Sequence, residues 1–175
     1  DIDLAVDRSL FGFEGDLTTK QIKKLRKTSS LFVSNEFISE LQSAINRFDL
    51  DKFIELEVQP DGEGDKTYPE PRQIFIKYQS LFETELSYVK PQIILEIGAR
   101  SLFEPTQKSS INSIVATEFP NVQTSVISAD ITTAVAAKTF LEKAFLLHEL
   151  FTTNGCSKAE RKSRHLYDLE RMMDK

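Results

Sequence analysis

The sequence predicts an α+β fold: a mixed sheet followed by a C-terminal helical part. Three observations lead there. Two-residue apolar alternation, the period of half-buried strands, occurs at 1–6 and again within 52–58. Residues 72–78 and 92–100 read as further strands of the same group. Helical spacing separates the first strand from the others and returns at the end of the chain. The order strand, helices, several strands, two helices fits a mixed or antiparallel sheet better than a regular strand–helix alternation.

Taken in order, Ile2, Leu4 and Val6 face one side of the first strand, while Asp1, Asp3 and Ala5 face the other. Gly12 and Gly15 mark a turn. Residues 18–27 read as a short helix capped by Asp16 or Thr18. Residues 30–48 read as a second, longer helix with Phe37, Leu41 and Ile45 on one stripe. In 52–58, Ile54, Leu56 and Val58 alternate with Glu55 and Glu57. The Pro, Gly and acidic residues of 59–71 predict a loop. A further strand is expected at 124–129. Helices are expected at 134–151 and 158–173, separated by a break that contains Gly155.

Composition narrows the function classes. A length of 175 residues supports one domain with a real core. No apolar run reaches the length of a membrane span, and the start does not read as a signal peptide. Cys156 is the single cysteine, so an internal disulfide framework is excluded and the cytoplasm is the default location. A net charge of -5 gives no global attraction to nucleic acid. Contact with a polyanion has to come from a local patch. The densest one is Lys20, Lys23, Lys24, Arg26 and Lys27, which reads equally as a phosphate contact or a solvated helix face.

Four groups of residues have the chemistry for a site. Asp1 and Asp3 lie on one side of a strand with Cα atoms about 7 Å apart. Both can reach one divalent ion or a pair of ions, and hard oxygen donors suit Mg²⁺. An isolated Asp-x-Asp is more often a solvated strand face. Glu96 interrupts the apolar run Ile93-Ile94-Leu95-Glu96-Ile97 and shares a face with Gln92, Ile94, Gly98 and Arg100. It is either a third metal carboxylate or a partner of Arg100. The helix 134–151 is apolar over a wide arc, leaving Lys138, Thr139, Glu142 and Lys143 on its remaining face. Lys143 there offers a point charge to a triphosphate, unless Lys138 and Glu142 merely form a surface pair beside a solvated Lys143. In the last helix Arg161, Arg164, Asp168 and Arg171 form a charged stripe, with Arg164 and Asp168 one turn apart. His165 beside them is an acid–base candidate or a structural residue.

These pieces occur in the order of a known family. Asp1-Ile2-Asp3-Leu4 resembles the metal motif of the bacterial AbiEii/AbiGii toxin nucleotidyltransferases. Lys138-Thr139-Phe140-Leu141-Glu142-Lys143-Ala144 is similar to that family's Glu-Lys helix. Ser163-Arg164-His165-Leu166-Tyr167-Asp168-Leu169 resembles its closing Arg-x-x-Tyr-Asp-Leu motif. The resemblance spans essentially the whole chain. It implies a polymerase-β-like nucleotidyltransferase fold with an added helical bundle. The division implied is a nucleotidyltransferase-like α+β domain over 1–132 and a helical part over 133–175 carrying the Lys and Asp motifs. It also implies an enzyme dependent on Mg²⁺ or Mn²⁺ that moves a nucleotide from a nucleoside triphosphate to an acceptor, RNA such as a tRNA end, and that is paired with a cognate antitoxin. Carried over by position, Asp1 and Asp3 are metal ligands and Glu96 the third carboxylate. Lys143 and Arg164 contact the nucleotide, and Asp168 orients Lys143 or acts as a base. The patch from Lys20 to Lys27 is left for the RNA.

Two departures bear on activity. The family's Gly-Ser or Gly-Gly element, which precedes the Asp-x-Asp, is absent from this chain, and His165 stands where an Asp is common. The expectation is an N-terminally truncated chain that folds but does not transfer nucleotide by itself. The rival readings are a degenerate domain that only binds nucleotide or antitoxin, and a metal-dependent glycosyltransferase, since those enzymes also use Asp-x-Asp.

Overall fold

A computed structural model describes residues 2–64, 67–80, 90–100, 105–121, 128–152 and 163–173. The chain divides into two compact units, Asp1–Phe103 and Glu104–Lys175. The class is α+β with a mixed sheet, as the order of elements suggested.

The first unit is built on four strands, β1 (Ile2–Ala5), β2 (Ile54–Val58), β3 (Arg72–Tyr78) and β4 (Gln92–Gly98). Their spatial order is β1-β4-β3-β2. β1 runs parallel to β4, and β4–β3 and β3–β2 are antiparallel. One face of this sheet carries Ile74, Leu95 and Ile97, which pack with Val33 into a buried cluster. A second cluster of Phe13, Leu25 and Ala99 closes the end of the unit at which β4 finishes.

The helices that cover this face depart from the two separate helices expected. α1 (Thr19–Phe32) and α2 (Ile38–Arg47) are joined by one wide turn over Val33–Phe37, in which the Ile38 N–H donates to the Val33 carbonyl. Thr18 is the cap, with its hydroxyl and the Gln21 side chain closing a capping box. The extra residue in the wide turn re-phases the apolar stripe. It keeps both Phe37 and Ile38 against the cluster that contains Val33. Ser29 and Ser30 lie inside α1, although serine hydroxyls compete for backbone partners. Both are fully buried, and Ser30 Oγ receives a hydrogen bond from Arg72 at 2.9 Å.

Arg72 is the charged member of this interior. Its guanidinium also reaches Asp61 at 2.5 Å, which ties the 59–71 loop to β3. The bond between Glu70 and Pro71 is cis. Glu70 then turns inward, and its Oε1 accepts from the backbone N–H groups of Ala99 at 2.5 Å and Arg100 at 3.2 Å.

The second unit contains the antiparallel pair β5 (Thr106–Asn112) and β6 (Ser128–Ala134), with a short helix α3 (Ile114–Glu118) between them in sequence. α4 (Ala136–Thr152) and α5 (Ser163–Met173) follow. Of the strand expected at 124–129, residues 124–127 lie outside the described residues; Ser128 and Ala129 open β6, which runs on to Ala134. β5 was not anticipated. The start expected for the last helix, 158–162, and the Gly155 break also lie outside the described residues.

Candidate active site

The sheet of the first unit has two faces of different character. Leu95 and Ile97 flank Glu96 on β4 and point into the core, so the period of two sends Glu96 to the opposite face. The same alternation on β1 sends Asp3 away from Ile2 and Leu4. The register decides whether these carboxylates meet. Asp3 is the direct partner of Glu96 across the parallel β1–β4 pair. Cross-strand partners project to the same side, and neighbouring strands lie about 4.8 Å apart. The structure therefore brings Asp3 and Glu96 side by side on the outer face. Asp1 lies outside the described residues.

Glu96 has one further neighbour in this row. Gln73 of β3 is its partner on the other side, and Gln73 Nε2 donates to Glu96 Oε1 at 2.6 Å. The partner of Glu96 is thus Gln73 and not Arg100, which lies beyond the end of β4. Sequence reasoning missed Gln73. On β3 it shares a face with Phe75 and Lys77, opposite Ile74 and Ile76, but its pairing depends on a register the sequence does not reveal.

Among the described residues no group of three or more His, Cys, Asp or Glu side chains is arranged to hold a metal ion. The donor set of the row nonetheless fits Mg²⁺. That ion takes hard oxygen ligands and commonly uses one or two carboxylates, completing its shell with water and substrate phosphates. Asp3 is exposed and Glu96 half-buried, so an ion there keeps access to both.

In the second unit Lys143 of α4 and Asp168 of α5 form a hydrogen-bonded ion pair. Lys143 is half-buried on α4, one turn before the buried Leu147 on the same face. The lysine's hydrogen bond holds the Asp168 carboxyl below the usual aspartate range, with the charges of His165 and Arg164 adding to the effect. Arg164 is exposed one turn before Asp168. Asp168 also lines, with Ala136, Tyr167, Arg171 and Met172, an open pocket of about 430 Å³. Lys138 forms the i,i+4 pair with Glu142, at 3.9 Å; the Glu142 side chain is exposed and that of Lys138 only 14% exposed.

On α1, Lys20, Lys23, Lys24 and Lys27 are exposed and Arg26 is half-buried. Lys24 and Lys27 line a groove of about 610 Å³ together with Leu10, Phe11, Leu31 and Phe32. Lys27 Nζ also lies 5.4 Å from the centre of the Tyr68 ring.

The family model described as nucleotidyl transferase AbiEii toxin, type IV toxin–antitoxin system, matches residues 1–175. The chain belongs to the AbiEii nucleotidyltransferase toxin family. Membership makes it a nucleotidyltransferase toxin by kind and implies an antitoxin partner. No curated protein and no solved structure matches the chain. Among the described residues of this AbiEii-family chain, no helix is long and apolar enough to cross a membrane.

Proposed function

We propose that this AbiEii-family protein is a Mg²⁺-dependent nucleotidyltransferase of the cytoplasm that transfers a nucleotide from a nucleoside triphosphate to an RNA acceptor such as a tRNA end. The observation that carries the reading is the Asp3–Glu96 row. It is a pair of carboxylates in register on the outer sheet face, in a family of nucleotidyltransferases. Asp3 and Glu96, with Asp1, hold the metal. When bound, Mg²⁺ or Mn²⁺ supplies charge stabilisation to the phosphates and activation of the attacking hydroxyl.

The remaining roles belong to the chain's own charges. Lys143 offers its ammonium to the triphosphate, a compact point charge whose orientation Asp168 fixes. Arg164 adds a planar donor set suited to phosphate oxygens. Positioning and charge stabilisation make up most of what a protein contributes to phosphoryl chemistry. Asp168 is ionised at neutral pH, as an ordinary aspartate is, and the Lys143 bond lowers its pKa further, which favours orienting Lys143 over acting as a base. The exposed lysines of α1, with Arg26, supply the local positive field that an acidic chain needs to hold RNA.

The test incubates the full-length protein with each labelled nucleoside triphosphate and total RNA, with and without EDTA. We expect label on RNA together with pyrophosphate release, both lost with EDTA and in Asp3→Asn. Transfer that persists in Asp3→Asn, or that is indifferent to EDTA, would refute the reading. Sugar transfer without pyrophosphate release would indicate a glycosyltransferase.

A further inference from the structure

We propose that Gln73 is a positioning residue for the metal carboxylate. Its amide holds Glu96 Oε1 and leaves Oε2 for a divalent cation on the Asp3 side of the row. This rests on the metal reading of Asp3 and Glu96 above.

The order across the sheet is Asp3, Glu96, Gln73, so Glu96 has a carboxylate on one flank and an amide on the other. A glutamate on an open sheet face has several rotamers of similar energy. The 2.6 Å bond from Gln73 selects among them. Bonds from outer partners to ligating carboxylates orient the ligand in this way. The residue type matters as well. A Lys or Arg at 73 would neutralise Glu96 and compete with a cation for it, and an acid would repel it. A glutamine donates one hydrogen bond and brings no charge.

Gln73 is itself held in place. Its carbonyl accepts from the Gln59 N–H at 2.9 Å, and its own N–H donates to Gln59 Oε1 at 3.2 Å. This pair continues the β2–β3 ladder one step beyond Val58↔Ile74. The backbone of Gln73 is therefore clamped from the β2 side while its side chain points along the row to Glu96.

The experiment measures Mn²⁺ affinity of the full-length protein by calorimetry and Mn²⁺ electron paramagnetic resonance, without nucleotide. The variants are Gln73→Met, Glu96→Gln, the double variant and Asp3→Asn. Methionine fills nearly the same volume but donates no hydrogen bond, so a space-filling role at 73 would survive it. Thermal unfolding midpoints check that each variant folds. We expect Gln73→Met to weaken Mn²⁺ binding about 10-fold to 100-fold, the range for removal of outer partners of metal ligands. In the Glu96→Gln background the same change should have almost no effect, because Gln73 acts through Glu96. If Asp3→Asn and Glu96→Gln weaken binding while Gln73→Met binds like wild type, the positioning role is overturned and the metal reading stands. The role is equally overturned if Gln73→Met loses as much affinity in the Glu96→Gln background as alone. If wild type binds no Mn²⁺, or Asp3→Asn and Glu96→Gln leave affinity unchanged, the metal reading fails and the role of Gln73 with it.

Discussion

Gly98 closes β4 two residues after Glu96, and the structure gives a reason for its missing side chain. A Cβ at this position would lie 2.9 Å from Glu70 Oε1, 3.4 Å from Pro71 Cβ and 3.6 Å from Glu70 Cδ. Only the first contact is too short to keep. The carboxylate cannot simply swing aside, because the same oxygen accepts from the N–H groups of Ala99 and Arg100. Gly98→Ala therefore forces a choice between a clash and a broken strand-end bond. Losing a hydrogen bond to a charged group costs about 1.5–3 kcal/mol. The lower chain entropy of alanine in the unfolded state returns about 0.4–1 kcal/mol. The expected net destabilisation is about 0.5–2.5 kcal/mol, measured by urea unfolding with extrapolation to water. Glu70→Ala removes the atoms that the new Cβ meets. In that background only the ordinary Pro71 contact remains, so Gly98→Ala should stabilise by about 0.4–1 kcal/mol, and the cycle isolates the contact. A Gly98→Ala protein within about 0.5 kcal/mol of wild type, the range of neutral surface changes, would refute the reasoning. So would an equal cost in both backgrounds.

Three further outcomes follow from the charged groups. Burial pushes the Glu70 carboxyl above its ordinary range despite its two backbone donors. Wild type should thus lose stability relative to Glu70→Gln as pH rises from the ordinary glutamate pKa through the raised one, and parallel pH–stability curves would exclude this. Asp168 has the opposite sign. Its pairing with Lys143 contributes stability above the ordinary aspartate pKa that is lost as pH falls through the depressed value. Lys143→Met should therefore move the Asp168 carboxyl titration upward by ¹³C NMR and abolish nucleotide transfer, and an unmoved titration or near-normal transfer would remove the lysine from its role. Charge reversal at Lys23 and Lys24 should weaken RNA binding and flatten its salt dependence, by roughly 0.7 in log–log slope for each single-strand phosphate no longer neutralised. An unchanged slope would return the patch to a solvated helix face.

β1 was legible from its alternation alone, since its four residues are all exposed, whereas β2 and β4 bury one side more than the other. Ile54, Leu56 and Val58 alternate with glutamates, and Leu95 and Ile97 bracket Glu96. β5 was not legible because it buries almost nothing. Its sequence is Thr-Gln-Lys-Ser-Ser-Ile-Asn, and it is held by the ladder to β6 and by the contact of Ser109 with Thr133 at 2.9 Å. Hydrophobic period cannot report a strand whose stability lies in backbone pairing. The helices expected at 18–27 and 30–48 meet inside α1, where Arg72 gives Ser30 a buried partner, while the wide turn that joins α1 to α2 lies at Val33–Phe37, with no glycine or proline to mark it. Asp3 and Glu96 were individually visible as acids on strand faces. Their adjacency was not, since 93 positions of sequence separate them and the parallel register alone joins them.

That register places like charges together, and the balance of energies indicates what the fold tolerates there. Two carboxylates about 5 Å apart repel by about 1 kcal/mol in a water-like dielectric and by about 3 kcal/mol at an effective value near 20. Against this, Leu95 and Ile97 are 5% and 0% exposed. Full burial of such a side chain contributes about 1.5–3 kcal/mol each. A one-residue slip of β4 would relieve the repulsion only by turning Leu95 and Ile97 to the outer face. The core on one side of the sheet thus outweighs the repulsion on the other. It holds Asp3 and Glu96 in an arrangement that neither would adopt for its own sake. A divalent cation bound there would relieve that repulsion directly, on the face where the register is otherwise unfavourable.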